Sequence, residues 1–322
     1  MKKTASLATA LALLAGGVSF AEVVFEADVK ASVVGMRVYT TESRTLEFEE
    51  RRKWLQGVLE RAGLKVDRDS DNIVRTERFI GFYGNGVEAL INRTGTEIVF
   101  TYLPGLKLTE KVGKLPDDES AERIARDFLA NAKLVDLDRG ELVVHHIGGL
   151  AQALATPKST SEPEKKAVAV YFNRELDGYP VMNKGSHITV MIGDGGTPIN
   201  MQYNWREVSE AGRSVTEEEA LSPGTVRDFI VRDVARVHNL DEKIVITKVY
   251  PVYYDRGEKF IQPAFCYEGV IPKTAEHALD MPVLGYVAGL KRPPEPVHHP
   301  GYDPRVELPE ETKPGNDSLA AE

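Results

Sequence analysis

The side chains in this sequence that could do chemistry are scattered, and none falls at a spacing that builds a catalytic centre. The single cysteine, Cys266, sits in an apolar run with no local signature of a nucleophile, and reads as a small buried hydrophobe. Ser186 stands between Gly185 and His187 at the start of a strand, without the strand–turn–helix elbow of a GxSxG serine. No HExxH pair is present to hold zinc on a helix. His145-His146 and His298-His299 are adjacent pairs, and neighbours in a strand point to opposite faces, so one pair does not chelate a single ion. The sequence therefore predicts no metal, no cofactor and no enzymatic activity. One catalytic arrangement stays open: carboxylates gathered by folding. The acidic runs Glu47, Glu49, Glu50 and Glu217–Glu219 are better explained as helix starts, where negative charge favours the dipole.

Binding has more to work with. Ile199, Met201, Tyr203 and Trp205 alternate with Asn200, Gln202, Asn204 and Arg206, a period of two that gives a strand one apolar and one polar face. The polar row Asn200, Gln202, Asn204, Arg206 is the candidate binding face, although antiparallel sheets normally wet one side without binding anything. Tyr250, Tyr253, Tyr254, Phe260, Phe265 and Tyr267 alternate in a second strand region, as core or as an exposed binding strip.

The elements that would position these rows fall into segments. Residues 1–21 carry Lys2 and Lys3, an apolar run from Leu7 to Ala15 and a small-x-small site, which predicts a signal peptide cleaved between Ala21 and Glu22. No cysteine follows the run to take a lipid anchor, and no later segment is apolar enough to span a bilayer. Residues 22–115 form a first α+β domain, with a helix over Leu46–Ala62 and several strands. Residues 116–208 open on a helix capped by Asp117 and Asp118, followed by strands with turns at Asp177-Gly178 and Gly193–Gly196. Residues 209–290 repeat that order: a helix from Thr225, then a strand pair turning at Asp255–Glu258. Residues 291–322 are proline-rich and charged, and are expected to be disordered.

Charge narrows the partners. The chain has 40 basic and 49 acidic residues, a net charge of −9 that becomes −11 once the two signal lysines are gone. Such a surface repels nucleic acid and anionic lipid.

The runs Ala125–Leu134 and Val168–Val208 resemble a PepSY-type module, and the resemblance spans about Asp117–Val270. In that family a helix precedes a hairpin turn reading xDGxPV and a later turn reading GDGG; here these are Leu176, Asp177, Gly178, Pro180 and Val181, then Gly193, Gly195 and Gly196. Tyr250–Gly269 is similar to a strand pair that often follows such modules. The resemblance implies an α+β fold of repeated units, each one helix packed on an antiparallel β-meander. It also implies a non-catalytic role as propeptide, inhibitor or extracytoplasmic regulator. Only about 50 residues follow Val270, too few for the protease domain that a propeptide would precede. The expectation is an exported, periplasmic or secreted protein that binds a protein or peptide. The competing expectation, an envelope hydrolase, requires a cleft that gathers at least two carboxylates.

Overall fold

The computed structural model describes residues 22–29, 32–64, 73–107, 110–153, 155–156, 159–209, 212–237, 243–274 and 278–298. The expected signal peptide, Ala21 included, lies outside these residues, while Glu22 opens the first strand. In chain order the first elements are β1 (Glu22–Phe25), β2 (Arg37–Glu42), α1 (Phe48–Arg61), β3 (Ile73–Arg75), β4 (Phe79–Gly84), β5 (Val87–Asn92) and β6 (Glu97–Tyr102). Next come α2 (Asp118–Asn131), β7 (Leu142–Gln152), β8 (Ala155–Thr156), β9 (Ser159–Thr160), β10 (Glu164–Leu176), β11 (Tyr179–Met182), β12 (His187–Ile192) and β13 (Pro198–Asn204). The chain continues through β14 (Glu207–Val208), β15 (Arg213–Ser214), α3 (Pro223–Val237), β16 (Lys243–Asp255), β17 (Phe260–Ile271) and β18 (Met281–Ala288).

Local chemistry sets the helix starts. Asp117 Oδ1 accepts from the Ser120 amide at 2.8 Å, and Ser222 Oγ accepts from the Thr225 amide at 3.2 Å. Glu50 reaches back to accept from the Glu47 amide at 2.9 Å. Among the described residues no helix is long and apolar enough to cross a membrane.

The strands form one 16-stranded sheet, with β8 and β9 apart as a small hairpin. Its first half runs β7-β10-β12-β13-β6-β5-β4-β3, all antiparallel. The second half is built around β16 and β17, which carry β1, β2 and β18, while β14 and β15 pair with β2. Two pairings are parallel, β1 with β16 and β11 with β16. β11 is the joint between the halves: it turns back antiparallel to β10, then continues parallel to β16.

Each half has its own core. In the first, Leu55, Val58 and Leu59 of α1 and Ala125, Phe128 and Leu129 of α2 bury against Ile91, Phe100, Val170, Val190 and Met201. In the second, Val226, Ile230 and Val234 of α3 bury against Ile246, Phe265, Tyr267 and Val287. A fully buried side chain of this size contributes about 1.5–3 kcal/mol, so these stripes hold the helices to the sheet.

This architecture corrects the expected fold. The strands do not close into repeated units of one helix on a β-meander. They make one mixed sheet with three α-helices among the described residues. Asn200–Asn204 continues sideways into Glu97–Thr101 of the first segment. Val181 and Met182 pair with Tyr253 and Tyr254 of the third. Alternation in a sequence specifies which face of a strand is buried, but both edges of a strand offer the same backbone groups, so the neighbours are left unspecified. The tail also differs from expectation over residues 291–298. The Glu295 carboxylate accepts from the amides of Lys259 and Phe260 at 2.7 and 2.9 Å, and Gln262 Nε2 donates to the Glu295 carbonyl at 2.7 Å. Backbone donors at the end of β17 anchor a segment whose composition gave no sign of it. Residues 299–322 lie outside the described residues.

Candidate functional site

A cleft of about 850 Å³ opens where the two halves of the sheet meet. The chain has two tryptophans, and both Trp54 and Trp205 line it. Trp54 comes from α1, Thr94–Thr96 from the β5–β6 turn, Tyr203 from the end of β13, Trp205, Arg206 and Glu207 from the passage into β14, and Gly257–Lys259 from the β16–β17 turn. The β5–β6 turn is held rigid: Asn92 Nδ2 donates to Thr96 Oγ1 at 3.1 Å, and Asn92 Oδ1 accepts from the Glu97 amide at 3.2 Å. Gly95 in this turn has φ +73°, and a β-carbon there would strike the Trp54 ring, so glycine is what lets the indole lie against the turn.

Beneath the cleft runs a buried polar chain that crosses between the halves. Arg206 is 5% exposed and pairs with Asp255, which is fully buried. Arg206 also donates to the Glu258 carbonyl and, at 3.4 Å, to Thr41 Oγ1. The other Asp255 oxygen accepts from Ser186 Oγ at 2.6 Å, and the Gly257 amide donates to Oδ1 at 2.9 Å. Gly185 lies so close that a β-carbon would strike the Asp255 carboxylate. On the first-half side Arg174, fully buried, donates to Ser186 Oγ at 3.4 Å and stacks 3.9 Å above the Trp205 ring. Its Nε lies 2.9 Å from Glu141 Oε2 but outside hydrogen-bonding geometry, and Nη2 has no acceptor. Burial lowers the pKa of the Arg174 guanidinium, while Glu141 and Asp255 oppose that shift. Glu141 is held in turn by Arg139 at 2.7 Å.

The sequence-predicted face divides. Gln202 is exposed on the open side of the sheet, away from the helices. Asn200 donates to Thr101 Oγ1 at 2.8 Å, and Asn204 Nδ2 lies 3.2 Å from His187 Nε2, so both engage sheet neighbours. Arg206 leaves the row altogether, because β13 ends at Asn204 and the chain then turns down into the junction. The cleft gathers none of the other three. It does gather three carboxylates, Glu42, Glu207 and Glu258; Glu207 pairs with Arg139 at 3.1 Å and Glu258 with Arg256 at 3.3 Å.

The aromatic cluster turns inward: Tyr253, Tyr254, Phe265 and Tyr267 are buried. Cys266 is buried too, and burial raises its thiol pKa to about 11. His145 and His146 are exposed on β7, and the His146 ring stacks on Tyr171 with centroids 5.7 Å apart. Among the described residues no three His, Cys, Asp or Glu side chains gather as a metal-ligand set.

Sequence reasoning missed Arg174 and Trp54, and it read Ser186 only as a strand-start serine and Asp255 only as a turn residue. One signal was present: in β10, Val168, Val170, Phe172, Arg174 and Leu176 share the inward phase, and an arginine in that row must find a buried partner.

No family model matches the chain, and no curated protein matches it. A solved crystal structure of an uncharacterised protein from Eubacterium rectale ATCC 33656 is similar, with 11% sequence identity, a TM-score of 0.43, and coverage of 83% of this chain and 86% of that one. The PepSY likeness stands on the turn and strand motifs alone.

Proposed function

We propose that this is an exported, non-enzymatic protein that binds a peptide or an extended protein segment in the cell envelope, in the cleft between the two halves of its sheet. Export rests on the charged start, apolar run and small-x-small site of residues 1–21. Binding rests on one observation above the rest: both tryptophans of the chain line a cleft of about 850 Å³ that also offers Thr41, Ser43, Thr94 and charges of both signs. Leu46, Trp54, Leu134, Tyr203 and Trp205 set among hydroxyl and charged side chains suit a ligand that bears both apolar and polar side chains. The PepSY-like turns favour a regulatory or inhibitory role. The three glutamates suit the hydrolase reading less well, since Glu207 and Glu258 are already paired with arginines.

Because both indoles sit at the site, intrinsic fluorescence reports on it directly. Titrating envelope-derived peptides should give a saturable change in tryptophan emission, and Trp54→Ala should weaken binding by about tenfold or more, as losses of central aromatic anchors do. A peptide that is cleaved on binding, with cleavage abolished by Glu42→Gln, Glu207→Gln or Glu258→Gln, would overturn the non-enzymatic reading.

A further inference from the structure

Among the described residues, six strands of the large sheet have a neighbour on one side only, and five of them are guarded. β14 and β15 are two residues long, β1 has four residues and opens on Glu22, β3 carries Arg75 and β18 carries Pro282. Short length, charge and proline are the usual means of keeping a free edge from pairing with another chain. β7 is the exception. It runs for 11 residues, LVVHHIGGLAQ, with no Asp, Glu, Lys, Arg or Pro, and among the described residues it pairs with β10 alone. Its pairing with β10 shifts register twice: His145 bulges out between the pairs Phe172–Val144 and Tyr171–His146, and Lys166 of β10 is skipped between the pairs Ala167–Leu150 and Lys165–Ala151. His145, His146, Gly149 and Ala151 are exposed along it.

We infer that β7 is a self-association edge: two copies of this chain pair antiparallel through β7 about a two-fold axis near Ile147, joining their sheets. Three features favour a second copy over a foreign strand. The segment is complementary to itself, because in this register His145 and His146 of one copy run alongside Gly148 and Gly149 of the other, large against small, on both sides of the axis. Close to a two-fold axis a residue meets its own mate or that mate's near neighbours, so an ionised residue there would face like charge, and β7 has no acidic or basic residue. The chain as a whole carries −9, so two copies approach most easily through their uncharged stretch. The contact is separate from the cleft, whose lining includes no β7 residue.

Sedimentation equilibrium of the chain from Glu22 onward tests this. A monomer–dimer equilibrium is expected within ~1–100 μM, and a species still monomeric at ~100 μM overturns the proposal. His145→Lys with Ala151→Lys, both at exposed positions, should raise the dissociation constant ~30-fold or more while leaving the circular dichroism and melting unchanged. A lysine variant that dimerises like the parent overturns it too. The closing experiment mixes this variant with His145→Glu, Ala151→Glu protein. Each alone should be monomeric and the mixture dimeric, since residues 145 and 151 of the two copies fall on near diagonals. A mixture that stays monomeric rejects the antiparallel register. Tryptophan-monitored peptide binding by the lysine variant separates this outcome from failure of the cleft reading.

Discussion

Gln202 and Arg206 stand four residues apart in one alternating row, yet the structure treats them as opposites. Gln202 is exposed on the open face of β13. Arg206 is 5% exposed and meets a fully buried Asp255 from the far half of the sheet. One polar group is tolerated because water solvates it. The other is tolerated only because its counter-charge, a carbonyl and a hydroxyl were folded around it. The contrast separates a polar surface from a polar joint, and the joint is where the two halves are made to agree.

The harshest way to break that contrast is to remove the acid. Asp255→Ala leaves Arg206 buried without its counter-ion and frees Ser186 Oγ and the Gly257 amide as well. Loss of one member of a buried pair costs about 3–5 kcal/mol. The thermal midpoint should fall by roughly 10 °C, read by differential scanning calorimetry. A fall near zero would mean that water reaches the pair and that the joint is no more than surface.

Arg174 sharpens the same point through a smaller expected loss. Its Nη2 has no acceptor, so the site already bears some of the cost of an unpaired buried group. Arg174→Met should cost about 2 kcal/mol, because Glu141 is left with Arg139 alone on a mostly buried carboxylate. Arg174→Met with Glu141→Leu should recover much of that, since apolar residues of similar volume often replace a buried ion pair at little cost. Urea denaturation of the single and double variants measures the coupling. Simple additivity would show that Glu141 and Arg174 do not act as a pair.

What could be read beforehand follows the same division. The inward face of the predicted row was legible: Ile199, Met201, Tyr203 and Trp205 are all buried, as their period of two required. Helices α1, α2 and α3 fell where their stripes and caps placed them, within a few residues. The hairpins at Asp177-Gly178, Gly193–Gly196 and Asp255–Glu258 were legible from their turns, but the pairing of strands distant in sequence was not, because β13 meets β6 and β11 meets β16 through backbone groups that carry no sequence signature. Nor was the joint. Arg206 and Asp255 are 49 residues apart, and Arg174 and Glu141 are 33 apart. A long-range ion pair has no period, and only the arginine in the inward row of β10 hinted that one existed.

The mildest change is the one that tests which polar region binds. Gln202→Ala removes an exposed amide from the open face and should alter stability by less than about 0.5 kcal/mol, as surface substitutions away from special features do. If ligand enters the cleft, this variant should bind envelope peptides with the parent's affinity in the same tryptophan titration that Trp54→Ala disables. Binding lost in Gln202→Ala and kept in Trp54→Ala would transfer the function to the open sheet. The row read from the sequence would then be the site, and the cleft a by-product of joining two halves. Exposure argues the other way: an amide already solvated by water gains little on contact, whereas the half-buried Trp54 has apolar area still to cover.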